Sequence, residues 1–311
     1  MSRSGGAEVV VIGASCLDVK ARPLAPIVPH GSSPARVLLS PGGAGRNIAE
    51  NLALLGIRVA LLSVVGTDML GQRLLDRTAR SGVDVTRTIR SSEACTGAYV
   101  ALFTDDHRKG YSLDDVSQLS LATPDYIRRH QSLFRNARIA MMDGNVDAET
   151  VSATLSLCHQ YGVPVCLDPV SVRRAYALRP YLSEFHMITP NQHEAEALLD
   201  VTIDGVEDAL DAARMMVASG VGVAIITMAE EGLVYAASEG NGRIPSIRCD
   251  VVDWTGAGAA LSAAVVYGLL NGMPVDECMR LGVAAATLTL RSRESVNPEL
   301  SLDQLYANMV I

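Results

Sequence analysis

Short apolar runs alternate along the chain with longer segments whose apolar residues recur at helical spacing. The first run, Val9–Ile12, is β-branched or aliphatic throughout and ends at Gly13, as expected of a strand buried on both faces. Comparable runs occupy residues 58–65, 139–142, 164–167, 185–188 and 223–228. The segments between and after them predict helices, at about residues 46–55, 68–80, 147–161, 191–199, 206–218, 256–270 and 275–290. This alternation predicts an α/β fold with three layers, a mainly parallel sheet between two layers of helices.

Two stretches break the alternation. Residues 96–103 and 108–113 are β-like and flank a turn-like sequence at Asp105–His107, which predicts an antiparallel hairpin inserted into the α/β chain. Residues 22–40 are rich in Pro and Ser, and only Val37–Leu39 suggests a short strand there. We therefore expect one domain over residues 1–311, with a small β lid formed by about residues 14–41 and 90–117.

Composition narrows the class of partner. The 311 residues carry 26 Lys and Arg against 34 Asp and Glu, and this acidic balance argues against a nucleic-acid partner. No apolar run is long enough to span a membrane. Six cysteines without C-x-x-C spacing favour reduced thiols, and the first residues do not have the pattern of a signal peptide. We expect a cytoplasmic protein that acts on small molecules.

The most informative loop joins a strand to an Ala-rich helix at residues 251–260. Gly256 and Gly258 allow backbone N–H groups to converge with no side chain in the way, and the helix N-terminus adds partial positive charge. These features predict that the turn Gly256-Ala257-Gly258 forms an anion hole for a phosphoryl group in transfer. The alternative is a tight turn whose small residues allow close packing of helix on sheet.

Three motifs, in this order along the chain, resemble signatures of the ribokinase-like sugar and nucleoside kinases, also called the PfkB family. They are Gly42-Gly43-x-x-x-Asn47-x-Ala49, Asn191-x-x-Glu194 and Asp253-x-Thr255-Gly256-Ala257-Gly258. Residues 41–50, 167–174 and 294–302 look more like pseudouridine kinases than like ribokinases or fructokinases. The resemblance covers essentially the whole chain and implies a ribokinase-like fold and ATP-dependent phosphorylation of a nucleoside or sugar.

Carried over by position, the resemblance implies a ribose pocket. Asp18 would accept hydrogen bonds from ribose hydroxyls, and Gly42, Gly43 and Asn47 would line the same pocket. Asp115, in the lid segment, is a candidate contact for the nucleobase. The alternatives are a capping aspartate at position 18, a polar first-turn residue at position 47 and an exposed loop carboxylate at position 115.

The resemblance also implies sites for ATP, magnesium and potassium. Glu194 would hold magnesium through water and Asn191 would orient the phosphates, although Asn191 could simply cap its helix. The remaining candidates are Asp168, Thr227 and Gly232 for ATP, and Asp253 and Thr255 for a monovalent cation. Between Thr227 and Gly232 the glycine of the family's T-x-G pattern is replaced by Ala229. Family members often pair through edge strands, so we expect a homodimer.

The chain departs from the family at the position of greatest chemical importance. The residue after G-A-G is an aspartate in the family, where it is the general base, and here it is Ala259. A methyl group cannot accept a proton, and general-base assistance is worth about 10²–10⁴ in rate. The sole tryptophan, Trp254, lies in the same motif, and we expect it to pack against the core.

Three explanations of Ala259 remain open. The base was removed to trap a complex, the chain is a natural pseudoenzyme that binds ligands, or a water or lid residue replaces the base. The leading hypothesis for the function is ATP-dependent phosphorylation of the 5′-hydroxyl of a ribonucleoside, with pseudouridine as the leading substrate. Its rivals are a non-catalytic nucleoside or nucleotide sensor and a kinase for another sugar or nucleoside. A nicotinamide dehydrogenase is disfavoured because the first strand ends in a single glycine, Gly13, with no G-x-G-x-x-G.

Overall fold

A computed structural model describes residues 6–28, 30–103 and 109–309. Its strands, in chain order, are β1 (Val9–Ile12), β2 (Cys16–Pro23), β3 (Ala35–Gly42), β4 (Val59–Leu62), β5 (Val64–Gly66), β6 (Ile89–Ser91), β7 (Gly97–Phe103), β8 (Lys109–Asp115), β9 (Ile139–Asp143), β10 (Val165–Asp168), β11 (Met187–Ile188), β12 (Val223–Thr227), β13 (Leu233–Ala237) and β14 (Gly240–Ile244). The helices are α1 (Ala44–Leu54), α2 (Met69–Arg80), α3 (Pro124–Arg129), α4 (Gln131–Asn136), α5 (Ala148–Tyr161), α6 (Val172–Leu178), α7 (Gln192–Leu199), α8 (Val206–Ala218), α9 (Ala257–Leu270), α10 (Val275–Leu290) and α11 (Leu302–Asn308).

Eight strands form the main sheet, in the order β14-β13-β12-β11-β10-β9-β1-β4. Pairing is parallel from β4 to β12, and β13 and β14 add an antiparallel edge. Alternate residues of each central strand enter two separate apolar cores, one under each layer of helices; Val10 belongs to one core and Val11 to the other. The predicted three-layer α/β fold is confirmed. None of the helices in the described ranges has the length and apolarity to cross a membrane.

The predicted strand over residues 58–65 is in fact two strands in different sheets. β4 pairs with β1 in the main sheet, whereas β5 pairs with β6 in a two-stranded sheet of its own. Ser63 lies between them, and its hydroxyl donates to the Gly13 carbonyl and contacts the Ser15 hydroxyl. A run in which Ser63 is the one polar interruption after Arg58 therefore concealed a change of sheet, because periodicity alone cannot show where a partner strand ends.

Four strands form a second sheet in the order β3-β2-β7-β8, which we call the small sheet. The predicted hairpin is confirmed as the antiparallel pair β7 and β8; its connecting turn at Asp105–His107 lies outside the described residues. β2 was not predicted. Its alternation is the reverse of the usual one, because the polar Asp18 and Lys20 are buried whereas Leu17 and Val19 between them are less so. A search for inward-facing apolar residues misses such a strand.

The turn between β12 and β13 contains a residue under backbone strain. Ala229 has φ +47°, the left-handed region that a Cβ makes costly and that glycine adopts freely. This is the position at which the T-x-G pattern has glycine. The strain is therefore local and arises from one methyl group.

We expect Ala229→Gly to stabilise the fold slightly. Relief of left-handed strain gains about 1–2 kcal/mol, and the extra freedom of glycine in the unfolded chain removes about 0.4–1 kcal/mol of it. Urea unfolding would measure the difference. Ala237→Gly on β13 is the matched control and should destabilise, since that residue lies in a regular strand. A variant at 229 as destabilised as the control would contradict the account.

Candidate active site

Asp18 lies on β2 with only 2 % of its surface exposed. Gly42 lies directly against this side chain. A Cβ at position 42 would be only 2.0 Å from a carboxylate oxygen of Asp18, so the position requires glycine. Gly43 begins α1 with φ +95°, and its missing Cβ would lie 2.3 Å from the Ala14 carbonyl oxygen. Burial raises the pKa of Asp18, while a hydrogen bond from Ser295 and the charge of Lys20 act in the opposite direction. The sequence thus predicted a pocket whose glycines are sterically required.

Asn47 lies in the first half of α1 and is almost fully buried. Its side-chain oxygen accepts a hydrogen bond from the guanidinium of Arg46, which also pairs with Glu50 one turn later. The Asn47 Nδ2 group donates to none of the described residues, so it is the half of the amide that is available to a ligand. Sequence reasoning missed Arg46, whose place inside the Gly-Gly-x-x-x-Asn motif was its only signal.

A second buried carboxylate, Asp143, was also missed by sequence reasoning. It ends β9, and its Oδ2 accepts hydrogen bonds from the backbone N–H groups of Ala14 and Gly45, each at 2.8 Å. Its Oδ1 accepts from the N–H of Asn145 at 2.9 Å. Asp143 therefore fixes the position of the segment after β1 and of the start of α1. These two segments form the floor of the pocket predicted beside Asp18. Its position at the carboxyl end of a parallel strand was the available signal.

The turn before α9 has the conformation that its glycines suggested. Gly256 adopts φ +90°, and a Cβ there would lie 1.8 Å from the Ser295 carbonyl oxygen, so no other residue fits. A Cβ at Gly258 would meet open space. Asp253 holds the turn's entrance, since its Oδ1 accepts the Thr255 N–H at 2.9 Å. The glycine at 256 serves close packing and the glycine at 258 leaves the surface open.

The amide groups of this turn are available to a ligand. Within the described part of the chain, no oxygen accepts a hydrogen bond from the N–H of Gly256, Ala257 or Gly258. These are the first N–H groups of a 14-residue helix, which have no acceptor inside the helix. They carry the positive end of the helix dipole. The arrangement is able to bind an anion.

Ala259 and Trp254 are on either side of that turn. Ala259 is buried at the start of α9 and belongs to the apolar core between α9 and the main sheet. Trp254 is 51 % exposed, so its indole is only partly packed against the protein. The chain leaves the turn for α9 immediately after Trp254 and Thr255, and an indole at this corner stays in contact with solvent. It is therefore a fluorescent reporter next to the free amides.

Asn191 and Glu194 form a reciprocal cap at the start of α7. The Asn191 side chain accepts the Glu194 N–H at 3.0 Å, and Glu194 Oε2 accepts the Asn191 N–H at 2.9 Å. The alternative of a helix-capping Asn191 is thus what the structure shows, and it leaves the Asn191 side-chain amino group at the surface. Burial raises the pKa of Glu194, against the effect of the bonds from Asn191.

Thr227 lies beside that cap on β12, and Gly232 follows it in the turn between β12 and β13. Thr227 ends β12 and bridges to Asn191, and its N–H donates to the Pro190 carbonyl at 3.0 Å. Gly232 has φ +93°, and a Cβ there would lie 2.1 Å from the Ile244 carbonyl oxygen. Gly232 is thus required by the turn itself, whereas Thr227 is placed beside Asn191.

Asp168 ends β10, directly beside Asp143 in the strand register. Its Oδ1 accepts the Val170 N–H at 3.0 Å. Burial, with the nearby charges of Glu194 and Asp143, raises the pKa of Asp168 to about 8. The carboxyl ends of β9 and β10 and the start of α7 thus share an excess of negative potential. A cation is expected to be attracted there.

Asp115 lies on the other face of the small sheet from Asp18. Strand register places Asp18 beside Tyr99 and Asp114, and places Asp115 beside Ala98 and Leu17. The Asp115 carboxylate accepts hydrogen bonds from the N–H and hydroxyl of Ser117, which lower its pKa. The structure therefore gives Asp115 a local capping contact and brings Asp114 to the face that carries Asp18.

Ser295 and Lys20 connect the two sides of the site, and neither was predicted. The Ser295 hydroxyl donates to Asp18, while its backbone carbonyl packs against Gly256. Lys20 Nζ lies 3.1 Å from Asp253 Oδ2 and donates to Ser295 Oγ at 3.4 Å. The Asp18 carboxylate and the turn with free amides are thus separated by a single residue, Ser295. The only sequence signal at Ser295 is that residues 294–302 resemble the corresponding segment of pseudouridine kinases.

The donors fit magnesium that is held through water and phosphate oxygens. Glu194 Oε1 accepts no hydrogen bond from the described residues, and Glu194 is near enough to Asp168 for its charge to raise the pKa of Asp168. Among the residues described, no three His, Cys, Asp or Glu side chains are grouped as a metal cage. Magnesium commonly keeps several waters and uses one or two carboxylates together with substrate phosphates, which suits this arrangement.

Comparison with known proteins identifies the family of this chain and its structural relatives. The profile of the pfkB family of carbohydrate kinases matches residues 7–301, and the chain belongs to that family. It is 32 % identical over 295 residues to the pseudouridine kinase of Escherichia coli strain K12, covering 94 % of each chain. A Clostridium perfringens protein described as a sugar kinase superposes with TM-score 0.83 at 27 % identity, over 98 % of this chain and 96 % of that one. An Escherichia coli protein described as ribokinase II, solved with ATP and Mg²⁺, gives TM-score 0.83 at 18 % identity, over 97 % and 98 %.

The raised pKa of Asp168 predicts a pH-dependent stability. Between about pH 4 and pH 8 the unfolded chain has lost this proton while the folded chain keeps it, so rising pH favours unfolding until the folded group also ionises. In metal-free buffer, Asp168→Asn should therefore gain stability relative to the unsubstituted protein as pH rises from 5 to 8. Chemical unfolding across that range measures the gap; parallel profiles would contradict the shift.

Proposed function

We propose that the chain is built for ATP-dependent phosphorylation of the 5′-hydroxyl of a ribonucleoside, with pseudouridine as the leading substrate. The observation that carries the proposal is the turn Gly256–Gly258, whose N–H groups donate to none of the described residues and whose Gly258 borders open space. Such amides stabilise the charge on a phosphoryl group in transfer. The pseudouridine kinase at 32 % identity supports the substrate class.

The acceptor is proposed to lie between Asp18 and the turn. A buried carboxylate accepts hydrogen bonds from two neighbouring ribose hydroxyls, and Asn47 Nδ2 donates to the same sugar. Gly42 and Gly43 bring backbone close enough for a sugar to lie on it. Ser295 joins Asp18 to the turn, so a sugar held by Asp18 would place its far hydroxyl toward the free amides.

The nucleotide is proposed to lie along the carboxyl ends of β10 and β12. Thr227 and the Asn191 side-chain amino group are proposed to bind the phosphates, which the bridge between these two residues supports, and Asp168 and Glu194 are proposed to attract the cation. Magnesium held near Glu194 would neutralise phosphate charge. The chain's own residues orient the phosphates, exclude other anions and position the acceptor.

Ala259 is proposed to leave this reaction without its base. Transfer forms a bond between the 5′-oxygen and the γ-phosphorus, breaks the bond to the β-phosphate oxygen, and releases one proton. The buried Ala259 methyl cannot take that proton, so it passes to water. Positioning and the anion hole remain, and slow turnover is the expected behaviour of the chain as it stands.

Ala259→Asp should raise turnover of pseudouridine by about 10²–10⁴-fold, because a carboxylate at that position accepts the proton in the transition state. A coupled ADP-release assay with a panel of nucleosides and sugars measures the effect and ranks the substrates. Ala259→Asn is the matched control, since it has nearly the same shape and cannot act as a base.

The outcomes separate the candidate functions. Activity in the Asp variant alone identifies a kinase that lacks its base. No activity in either variant, with saturable quenching of Trp254 fluorescence by nucleoside or ATP, identifies a binding protein without catalysis. Equal activation by Asp and Asn would contradict the role of position 259.

We propose that the small sheet acts as a lid on the pocket and as the contact between two copies of this chain. Two rows of paired residues give its outer face apolar side chains; they are Leu39, Val19, Val100 and Leu113, and Val37, Ala21, Leu102 and Tyr111. Leu39, Leu113 and Tyr111 are all more than half exposed. The same face on a second copy is its natural cover, since a two-fold contact matches a patch with itself.

We also propose a cytoplasmic location, supported by six cysteines that form no disulfide.

Leu39→Asp should weaken dimerisation by about tenfold or more, because the contact would bury a carboxylate in each copy. Sedimentation velocity over a range of concentrations measures the change. Met69→Asp is the matched control, as Met69 is equally apolar and exposed but lies on α2. A monomeric unsubstituted protein, or equal behaviour of the two variants, would contradict the dimer.

A further inference from the structure

Lys20 is almost completely buried, which is rare for a lysine side chain. It lies on β2 with 1 % of its side chain exposed, and a buried ammonium is costly unless it is paired. Its Nζ lies 3.1 Å from Asp253 Oδ2 and 3.4 Å from Ser295 Oγ. Among the described residues, the polar groups that contact this ammonium, Asp253 and Ser295, adjoin the proposed active site.

Asp253 and Asp18 share this one buried positive charge. Asp253 is 3 % exposed and contacts Lys20 directly, while Asp18 is reached through the Ser295 hydroxyl. Arg22 also contacts Asp253 Oδ2, at 3.4 Å, but its side chain is about one-third exposed and lies over the Phe103 ring at the rim. Lys20 is thus the interior counter-ion, and Arg22 is the peripheral one.

Both carboxylate oxygens of Asp253 are already engaged. Oδ1 accepts the Thr255 N–H at 2.9 Å, and Oδ2 faces the Lys20 ammonium. A potassium ion bound to the same carboxylate would lie within a few ångströms of that ammonium, where two like charges repel strongly in a buried setting. The residues at Asp253 and Thr255 consequently do not fit the monovalent cation that the sequence suggested there.

We propose that the Lys20 ammonium is a built-in cation that takes the place of a monovalent metal ion beside Asp253. The inference rests on the proposed function for its purpose, which is to hold the turn of free amides. Lys20 fixes Asp253, Asp253 holds the Thr255 N–H, and the turn Gly256–Gly258 follows directly. Lys20 is a positioning residue that ties the small sheet to the anion hole, and the protein is indifferent to potassium.

Lys20→Met tests this inference, because methionine keeps the length of the side chain and removes the charge. Thermal unfolding and Trp254 fluorescence are followed in KCl, LiCl and choline chloride at one ionic strength. The unsubstituted protein should behave identically in all three salts. Lys20→Met should melt about 5–10 °C lower in choline chloride and recover with a saturable dependence on KCl but not on LiCl.

Arg22→Met is the matched control, since it removes one positive charge next to the same carboxylate. It should melt within about 3 °C of the unsubstituted protein and stay indifferent to potassium. A saturable, potassium-specific stabilisation of the unsubstituted protein would overturn the inference. So would a Lys20→Met protein that melts like the unsubstituted one or ignores potassium.

Crystals of the unsubstituted protein grown with thallium acetate provide a second measurement in case Lys20→Met does not fold. No anomalous peak is expected beside Asp253, and a peak there overturns the inference. Melting, fluorescence and anomalous scattering need no turnover. A failure of the kinase proposal with Ala259→Asp would therefore be seen separately from a failure of the lysine proposal.

Discussion

The pocket depends on the carboxylate of Asp143 and the three backbone amides that donate to it. This side chain ends β9 inside the main sheet and accepts the N–H groups of Ala14, Gly45 and Asn145. Burying a carboxylate is unfavourable, and three donors are what make it tolerable here. In return, the segment after β1 and the first turn of α1 are held at a fixed distance from the sheet. Asp18, Gly43 and Asn47 are displayed on those held segments.

Charge inside the site is distributed so that the two halves depend on each other. Asp18 and Lys20 come from the small sheet, whereas Asp253 and Ser295 come from the C-terminal third of the chain. The cations that contact Asp253, Lys20 and Arg22, both come from the small sheet, so this carboxylate depends on the other half for its charge balance. The same contacts that make the buried groups acceptable therefore keep the small sheet closed against the turn of free amides. Closure and electrostatic balance are a single property of this fold.

Two alanines stand where the family pattern has another residue, and their consequences differ. Ala229 retains the backbone conformation that glycine would adopt, so the turn survives with local strain. Ala259 fits without strain at the buried start of α9, so the fold is unaffected while a chemical group is missing. The first departure concerns stability and the second concerns chemistry.

The sequence by itself determined the α/β alternation, the hairpin of β7 and β8, and the glycines at 42, 43 and 256, because periodicity and steric demand are local properties. It also placed Asn191 and Glu194 at the start of a helix, since a capping box is a pattern over four residues. Only the tertiary structure revealed β2, whose buried residues are polar, and the division of residues 58–65 between two sheets. It alone brought Asp18 and Lys20 together with Asp253 and Ser295, which lie more than 200 positions further along the chain. Pairings of that kind depend on how distant strands and loops pack, and no local pattern records them.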